Sequence, residues 1–294
     1  MSSNDRGVSY PPSLGGQAVV EGVMIRGPRG TAVCVRNPNG EIVCRTERIE
    51  GRQRLRNVPV ARGVLALGET MSQGMRAMLW SAQVAAGIDP QEPAEGQVRA
   101  VTAASLGLIS ALFMIGPAIV TRRLERKKRS SRFAPFLEGV ARVSALVGYL
   151  RAMGRVPQAQ RLFAYHAAEH RAIQAYEAGQ PLEVQTLHQY PNAHVRCGTS
   201  FLLTTTLISS FVFAAVGQQT GSRRILSRVL LMPVIAGLSY EAIRFGSQHS
   251  GSPLSILFRP NMMLQSLTTR DPDEGQMEVA LAAVRAALAL QQPG

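Results

Sequence analysis

The sequence predicts a mainly α-helical, multi-span membrane protein with a small N-terminal β-containing unit. Three observations support this fold class. Long uncharged apolar runs alternate with polar stretches, basic residues crowd beside those runs, and two β-type runs flank an Asn-Gly pair near the start. The mean hydropathy of +0.03 therefore describes neither kind of segment, because it averages over a strong contrast along the chain.

The β-containing unit is predicted over residues 15–60, after a disordered tail at residues 1–14. The runs TAVCVR and EIVCRTERI flank the pair that ends in Gly40, and Asn-Gly supplies the positive φ that a tight turn requires. The preceding run, GGQAVVEGVMIRGPRG, carries Glu21 and Arg26 between glycines. It lacks the G-K-[ST] of a phosphate-binding loop, so these residues by themselves predict no nucleotide site.

A membrane region is predicted over residues 98–245, with four spans. The spans lie near residues 101–120, 134–153, 201–217 and 225–245. The first is 20 residues without a charge, long enough at 1.5 Å per residue to cross about 30 Å of hydrocarbon. The basic block RRLERKKRSSR that follows it is typical of a topology signal and of contact with anionic lipid headgroups. Membrane lipids are therefore expected partners, in a multi-pass protein of the plasma or bacterial inner membrane.

The second predicted span is weaker than the others because Glu138, Arg142 and Arg151 interrupt it. A helix lying in the membrane interface is the alternative for this segment. The remaining chain is predicted as an amphipathic helix with a linker at residues 61–97, and as a loop with an amphipathic helix at residues 246–294.

The charge and cysteine content exclude two broad classes. Thirty-two basic and 19 acidic residues give a net charge of +13, which would suit nucleic acid if aromatic residues were interleaved with the basic ones. Aromatics make up only 5% of the chain, so lipid headgroups are favoured and no nucleic-acid partner is expected. Three cysteines without a secreted-scaffold spacing predict no disulfide framework and a reducing compartment.

The strongest chemical signal is the segment RLFAYHAAEHRAIQAYEAG, which is predicted to form a helix. His166 and His170 are four residues apart and therefore lie on one face of that helix, where both imidazoles can bind one ion. Glu169 is adjacent. The order His-x-x-Glu-His is the inverse of the common zinc-protease motif, in which the Glu is the general base. The pattern predicts a divalent metal, with zinc as the expected ion and Glu169 as the catalytic acid or base.

A catalytic zinc site takes three protein ligands and leaves one position open, so a third ligand must come from elsewhere in the chain. His194 and Cys197 are the nearest candidates and complete a metal-binding segment over residues 161–200. His194 suits a hydrolytic site, whereas Cys197 gives a softer site of more structural character. His188 and Glu177 are lesser options.

Glu241 is a further candidate metal ligand because it lies within or at the end of an apolar span, where a carboxylate needs a partner. It can bind the metal, orient a histidine or pair with Arg244. Together with Glu138 and Arg142 it also allows a different interpretation, a transporter that uses charges inside the bilayer.

Five separated blocks resemble the YqhQ-like family, a bacterial domain of unknown function (number 1385). The blocks are GGQAVVEGVMIRGP, YHAAEH, HVRCGTSF, LLMPVIAGLSYEAIRF and LTTRDPDEGQMEVA, and the resemblance covers residues 15–288. It implies a metal-dependent membrane enzyme. The site positions that it implies are Glu21, Arg26, His166, Glu169, His170, His194, Arg196, Cys197 and Glu241.

These observations lead to one functional hypothesis with two rivals. In the hypothesis, His166, His170 and His194 hold zinc. Glu169 then activates water, and Arg26 or Arg196 stabilises developing negative charge. The substrate is a peptide or a lipid-linked molecule at the membrane surface. The rivals are a non-enzymatic membrane protein with a structural metal site, and the transporter.

Overall fold

The computed structural model describes residues 14–49, 60–111, 134–194, 197–217, 221–248 and 259–291. Over these residues the protein is mainly helical with one four-stranded antiparallel sheet near the N-terminus, which confirms the predicted fold class at that level. The predicted tail at residues 1–14, except for Leu14, lies outside the described residues, and Leu14 itself is buried. The end of the first predicted span at residues 112–120, the basic block after it and Arg196 also lie outside them.

The sheet is a meander in which each strand pairs with its neighbours in the chain. Its strands are β1 (Gly15–Val19), β2 (Gly22–Arg26), β3 (Gly30–Arg36) and β4 (Ile42–Arg48). The turn between β3 and β4 is closed by the N–H of Gly40, which donates to the carbonyl of Asn37 at 3.0 Å. Gly40 has φ 87°, which is the positive φ that the Asn-Gly pair predicts for a tight turn.

Nine helices are present among the residues that the structure describes. They are α1 (Ala61–Ala85), α2 (Glu95–Ser110), α3 (Ala134–Met153), α4 (Pro157–Glu177), α5 (Val184–Leu187), α6 (Ser200–Val216), α7 (Gly221–Gln248), α8 (Arg259–Gln265) and α9 (Glu274–Ala289). The last begins with a capping box, because Asp273 accepts from the N–H of Gln276 while the Gln276 side chain accepts from the N–H of Asp273.

The alternation of side chains along the strands gives the sheet two buried faces, and helices cover both. Val23 and Ile25 point to the face covered by α4 and α9, where they pack with Tyr165 and Met277. Met24 lies between them in the chain and points to the opposite face, against α1. Burial on both sides explains why the central strands β2 and β3 are almost continuously apolar, whereas the edge strand β4 is largely polar and exposed.

The second region of the molecule consists of α6 and α7 with α1, α3 and α8 packed against them. Among the described residues, one helical segment, Leu226–Gly246, is long and apolar enough to cross a membrane, with a mean hydropathy of 1.4. Ser200–Val216 is apolar but shorter. The predicted count of four spans is therefore not supported. Two of the predicted spans fail the criterion for different reasons. Helix α3 is interrupted by charges, and the first predicted span is only partly described.

The expectation that the cysteines form no disulfide is wrong. Cys34 and Cys44 are directly opposite each other in the β3–β4 register, with their Cα atoms 4.1 Å apart, and a disulfide joins them. This close approach is typical of antiparallel partners that exchange no backbone hydrogen bonds. Cys197 is free and buried.

Candidate metal centre

Helix α4 presents the two predicted histidines side by side. It begins with Pro157 in its first turn, where a missing N–H is tolerated, and the chain leaves the helix at Gly179, which has φ 64°. His166 and His170 are one helical turn apart, and their ring centroids lie 4.3 Å from each other.

Backbone carbonyls fix the orientation of both rings. Nδ1 of His166 lies 2.8 Å from the carbonyl oxygen of Thr268, and Nδ1 of His170 lies 2.6 Å from that of Asn192. A carbonyl oxygen only accepts, so each Nδ1 carries the proton and donates it. Each Nε2 is left with a lone pair, and this is the arrangement that metal-binding histidines show in other proteins.

Cys197 completes a group of three. Its Sγ lies 3.2 Å from Nε2 of His166, and one ligand atom from each of Cys197, His166 and His170 lies within 4.8 Å of the other two. Ligands of a tetrahedral zinc ion, at the usual bond lengths, lie roughly 3.3–3.8 Å apart. The three side chains therefore fit a zinc ion after small adjustments. Thr199 also contacts the sulfur: its N–H donates to Sγ of Cys197 at 3.4 Å, and its Oγ1 lies 3.0 Å from the same Sγ.

His194 is close to this group but does not belong to it. Its ring centroid lies 5.7 Å from that of His170, and its Nε2 lies 3.3 Å from a carboxylate oxygen of Glu177. Its backbone is held by the buried amide of Gln265, which accepts from the N–H of His194 and donates to its carbonyl, both at 2.9 Å. The geometry thus favours Cys197 over His194 as the third ligand, and places His194 behind the ligands.

Glu169 lies at the boundary between the histidines and the sheet. Only 4% of the residue is exposed. Burial raises the pKa of its carboxyl to about 7, against the opposing attraction of His166 and His194. The side chain packs directly against Gly16 in β1, where a β-carbon would overlap the carboxylate.

Burial also lowers the pKa of the His170 and His194 imidazoles, because it disfavours their charged forms. Both rings are therefore neutral at neutral pH. A neutral imidazole is the form that binds a metal ion.

Arg26 lies on the other face of the sheet from α4. Its guanidinium donates to Thr70 Oγ1 at 3.1 Å and to Glu69 Oε2 at 3.3 Å, both on α1. The structure does not bring Arg26 to the histidines. The other arginine predicted to stabilise developing negative charge, Arg196, lies outside the described residues.

Glu21 lies at the turn between β1 and β2, with φ 50°. Arg161, at the start of α4, donates to both of its carboxylate oxygens, and Tyr165 donates its hydroxyl at 3.3 Å. The bond from Arg161 holds the pKa of the Glu21 carboxyl below its usual value. Glu21 therefore anchors α4 to the sheet rather than contacting the ligands.

Glu241, on α7, forms hydrogen bonds to residues at the start of α1, where the two helices pack together. The Nε of Arg62 donates to its Oε1 at 2.7 Å, and the N–H of Val60 donates to the same oxygen at 3.4 Å. The structure thus brings Glu241 to Arg62 at the start of α1, and not to the candidate metal ligands. Arg142, the other residue of the transporter interpretation, donates to Ser209 Oγ at 3.1 Å and lies over the ring of Phe213.

The backbone and amide groups that orient the candidate ligands could not be identified from the sequence. The carbonyls of Thr268 and Asn192 are backbone atoms, which leave no signal in residue identity. Gln265 is a buried amide, and its pairing with His194 across 71 positions is visible only in the fold. The block LTTRDPDEGQMEVA, which contains Thr268, was the one indication that this segment lies near the site.

Comparison with known proteins places these residues in a family. The sequence pattern described as "Protein of unknown function (DUF1385)" matches residues 58–290. The chain is also 31% identical over 300 residues to a protein of Bacillus subtilis (strain 168) described as "Uncharacterized protein YqhQ", covering 96% of this chain and 94% of that one. The resemblance to the YqhQ-like family is confirmed. No solved structure matches the chain.

Proposed function

The chain belongs to the DUF1385 family, and from the geometry of its histidine and cysteine side chains we propose that it is a membrane-associated, zinc-dependent hydrolase. The single observation that carries this proposal is the convergence of Nε2 of His166 and Sγ of Cys197, 3.2 Å apart, beside His170 and next to a buried carboxyl.

The ligand set is His166, His170 and Cys197. Three protein ligands leave the fourth position of a tetrahedral zinc ion open for water or substrate, which is the arrangement of catalytic rather than structural sites. The carbonyls that accept from each Nδ1 hold the rings in the tautomer that binding requires. A bound zinc ion would supply Lewis-acid chemistry, polarising a carbonyl or phosphoryl oxygen and lowering the pKa of water.

Glu169 is the proposed general base and acid. It is next to His170 in the chain, only 4% of the residue is exposed, and burial raises the pKa of its carboxyl to about 7. A carboxylate in that state can take a proton from an attacking water and return it to the leaving group. Arg26 contacts α1 on the other side of the sheet, so the proposal gives it no part in the reaction; Arg196, next to Cys197 in the chain, keeps its proposed role.

Association with the cell membrane is the second part of the proposal. Only 22% of Leu226–Gly246 is buried inside the protein, whereas the core helix of a soluble protein is mostly buried. Phe211 on α6 and Leu230 on α7 are 75% and 66% exposed, and such surface is stable in contact with lipid. Cys197 precedes α6 by three residues, so the site lies at the end of an apolar helix. A substrate at the membrane surface, a peptide or a lipid-linked molecule, fits this position.

A structural metal site is the second candidate function, and the cysteine ligand favours it. Thiolate ligands are common in closed structural zinc sites, and Cys197 is only 4% exposed. The substitution Glu169→Gln separates the two candidates. A catalytic site should keep its metal and lose hydrolysis, whereas a structural site should keep its metal and every function of the protein.

Metal analysis of detergent-purified protein tests the ligand set itself. Wild-type protein should carry about one zinc ion per chain, and His166→Ala should carry almost none. His188→Ala is the matched control, because His188 is an exposed histidine of the same segment and should keep the full zinc content. Wild-type protein that stays free of transition metal after reconstitution with zinc would remove the hydrolase from consideration.

A further inference from the structure

The outer edge of β1 has backbone groups that nothing in the described chain pairs with. The sheet order β1-β2-β3-β4 makes β1 an edge strand. The N–H of Arg36 in β3 donates to the carbonyl of Glu21, so Glu21, Val23 and Ile25 direct their backbone groups towards β3. The alternate residues of β2 face β1 and pair there with Gly15, Gln17 and Val19. Gly16 and Ala18 therefore direct their N–H and C=O groups outward.

The next group in this outward row is already satisfied, which supports the assignment. The N–H of Val20 donates to Ser81 Oγ on α1 at 3.1 Å. Within the described ranges, the outward N–H and C=O of Gly16 and Ala18 have no hydrogen-bond partner. Gly15 and Gly16 are exposed whereas Ala18 is buried, so within the described residues the edge is open to an incoming molecule at the Gly15 end of the strand.

This open edge lies next to the proposed metal site. Gly16, whose backbone faces outward, is the residue against which the Glu169 carboxylate packs. Helix α4 packs against β1 and β2. Arg161 and Tyr165 of this helix bond to Glu21 at the turn between the two strands, which fixes the helix relative to the sheet edge. A chain that lay along the outer edge of β1 would therefore pass beside the carboxylate that we assign as general base.

We propose that an extended polypeptide segment binds as an added strand on the outer edge of β1, so that the substrate of this site is a peptide. This proposal rests on the proposed hydrolase function and names its substrate class. Two N–H and two C=O groups, repeating about every 6.8 Å along a strand, complement the backbone of another strand. An acyl chain or a lipid headgroup has no matching repeat of donors and acceptors. Hydrolysis would break the amide C–N bond, with the water oxygen joining the carbonyl carbon and protons joining the amine.

A proline at position 18 tests the proposal. Ala18→Pro removes the outward N–H and leaves the pairing with β2 intact, because Ala18 donates no hydrogen bond to β2. Ala18→Ser is the matched control and keeps the N–H. Both changes are made in zinc-loaded, full-length Glu169→Gln protein, which should bind substrate without cleaving it. The probe is fluorescein-labelled, reduced and carboxymethylated casein, an unfolded polypeptide, and binding is measured by fluorescence anisotropy.

The expected result is a Kd for the probe that is about fivefold higher for Ala18→Pro than for Ala18→Ser, since the one lost hydrogen bond costs on the order of 1 kcal/mol. Hydrogen exchange of the Glu169→Gln protein with Ala18 unchanged is a second measurement, and it does not depend on whether the proline variant folds. The amides of Gly16 and Ala18 should exchange quickly alone and slowly with the probe.

Two results would overturn the proposal. One is equal binding of the probe by both variants, or no binding at all. The other is slow exchange of both amides without the probe, which would show that another part of this chain or a second copy occupies the edge. In either case the zinc content of the same samples shows separately whether the proposed metal site stands.

Discussion

The sheet region and the α6–α7 region bury their apolar side chains to very different extents. Val23, Ile25 and Met277 are almost completely buried between the sheet and its helices. On α6 and α7, side chains as large as Phe211 and Leu230 remain mostly exposed. The first region completes a core from its own residues, whereas under the proposed function the exposed apolar side chains of the second contact lipid.

The candidate metal ligands come from both regions. His166 and His170 belong to α4, which packs on the sheet, and Cys197 leads directly into α6. The carbonyl that orients His166 belongs to Thr268, three residues after the end of α8. A bound ion would thus connect the sheet region to the α6–α7 region, and substitutions at the candidate ligands and on α7 test the two regions separately.

Removing the cysteine ligand should have the largest effect. Losing an outer-shell partner typically costs a metal site 10- to 100-fold in affinity, so losing a ligand should cost at least about a hundredfold. Cys197→Ser protein should lose zinc at stoichiometric loading. In cobalt-substituted wild-type protein, a thiolate-to-cobalt charge-transfer band should be present, and the serine variant should lack it.

The control for this experiment is His194→Ala, because His194 lies near the ligands without joining them. That variant should keep the charge-transfer band and most of its zinc. Loss of zinc from His194→Ala with retention by Cys197→Ser would restore the ligand set that was predicted from the sequence.

The pair of histidines and Glu169 could be predicted from the sequence because a helix fixes which residues share a face at four-residue spacing. The third ligand could not, since His194 and Cys197 are three residues apart in an irregular segment and only tertiary contacts decide between them. The Cys34–Cys44 disulfide was missed for a similar reason. Cysteine counting ignores strand register, and here the register alone brings the two residues together.

The sheet and the helical content were predictable because periodicity and turn residues are local signals. The number of spans was not, because hydropathy cannot separate a lipid-facing helix from one buried in protein. Helix α3 illustrates this: it fits the predicted segment at residues 134–153, yet Arg142 is fully buried within it and bonded to Ser209 on α6. The span assignment depends on packing of this kind, which no single segment encodes.

A charge on the exposed face of α7 should have the next largest effect. Leu230→Lys places an ammonium group within Leu226–Gly246, the one segment among the described residues that is long and apolar enough to cross a membrane. The cost is about 3 kcal/mol if that position contacts lipid near the bilayer centre. The membrane-extracted yield should fall several-fold. Leu230→Met keeps an apolar side chain and should behave as wild type. Equal yields of both variants would argue that α7 faces water or another protein.

In zinc-free protein, the buried carboxyl of Glu169 should make stability depend on pH. Its pKa is raised by burial to about 7 from 4.5, so the folded state holds a proton that the unfolded state releases between those values. Stability should therefore fall as pH rises through this window, by up to about 3 kcal/mol. Glu169→Gln should flatten that part of the curve, measured as the difference in Tm between the two proteins from about pH 5 to pH 8. An unchanged pH profile in the glutamine variant would show that the carboxyl is solvated.

The smallest effect is expected at the joint between α1 and α7, which is held by an ion pair rather than by the candidate ligands. Glu241→Gln weakens the bonds from Arg62 and Val60 but leaves His166, His170 and Cys197 untouched. We expect a modestly lower Tm with full zinc content and an unchanged cobalt spectrum, because partly exposed ion pairs stabilise proteins little. Arg62→Gln should have the same effect, since each change breaks the same pair. If Glu241→Gln lost zinc and Arg62→Gln kept it, Glu241 would be a metal ligand after all, and the two regions would meet at a different site from the one that α4 presents.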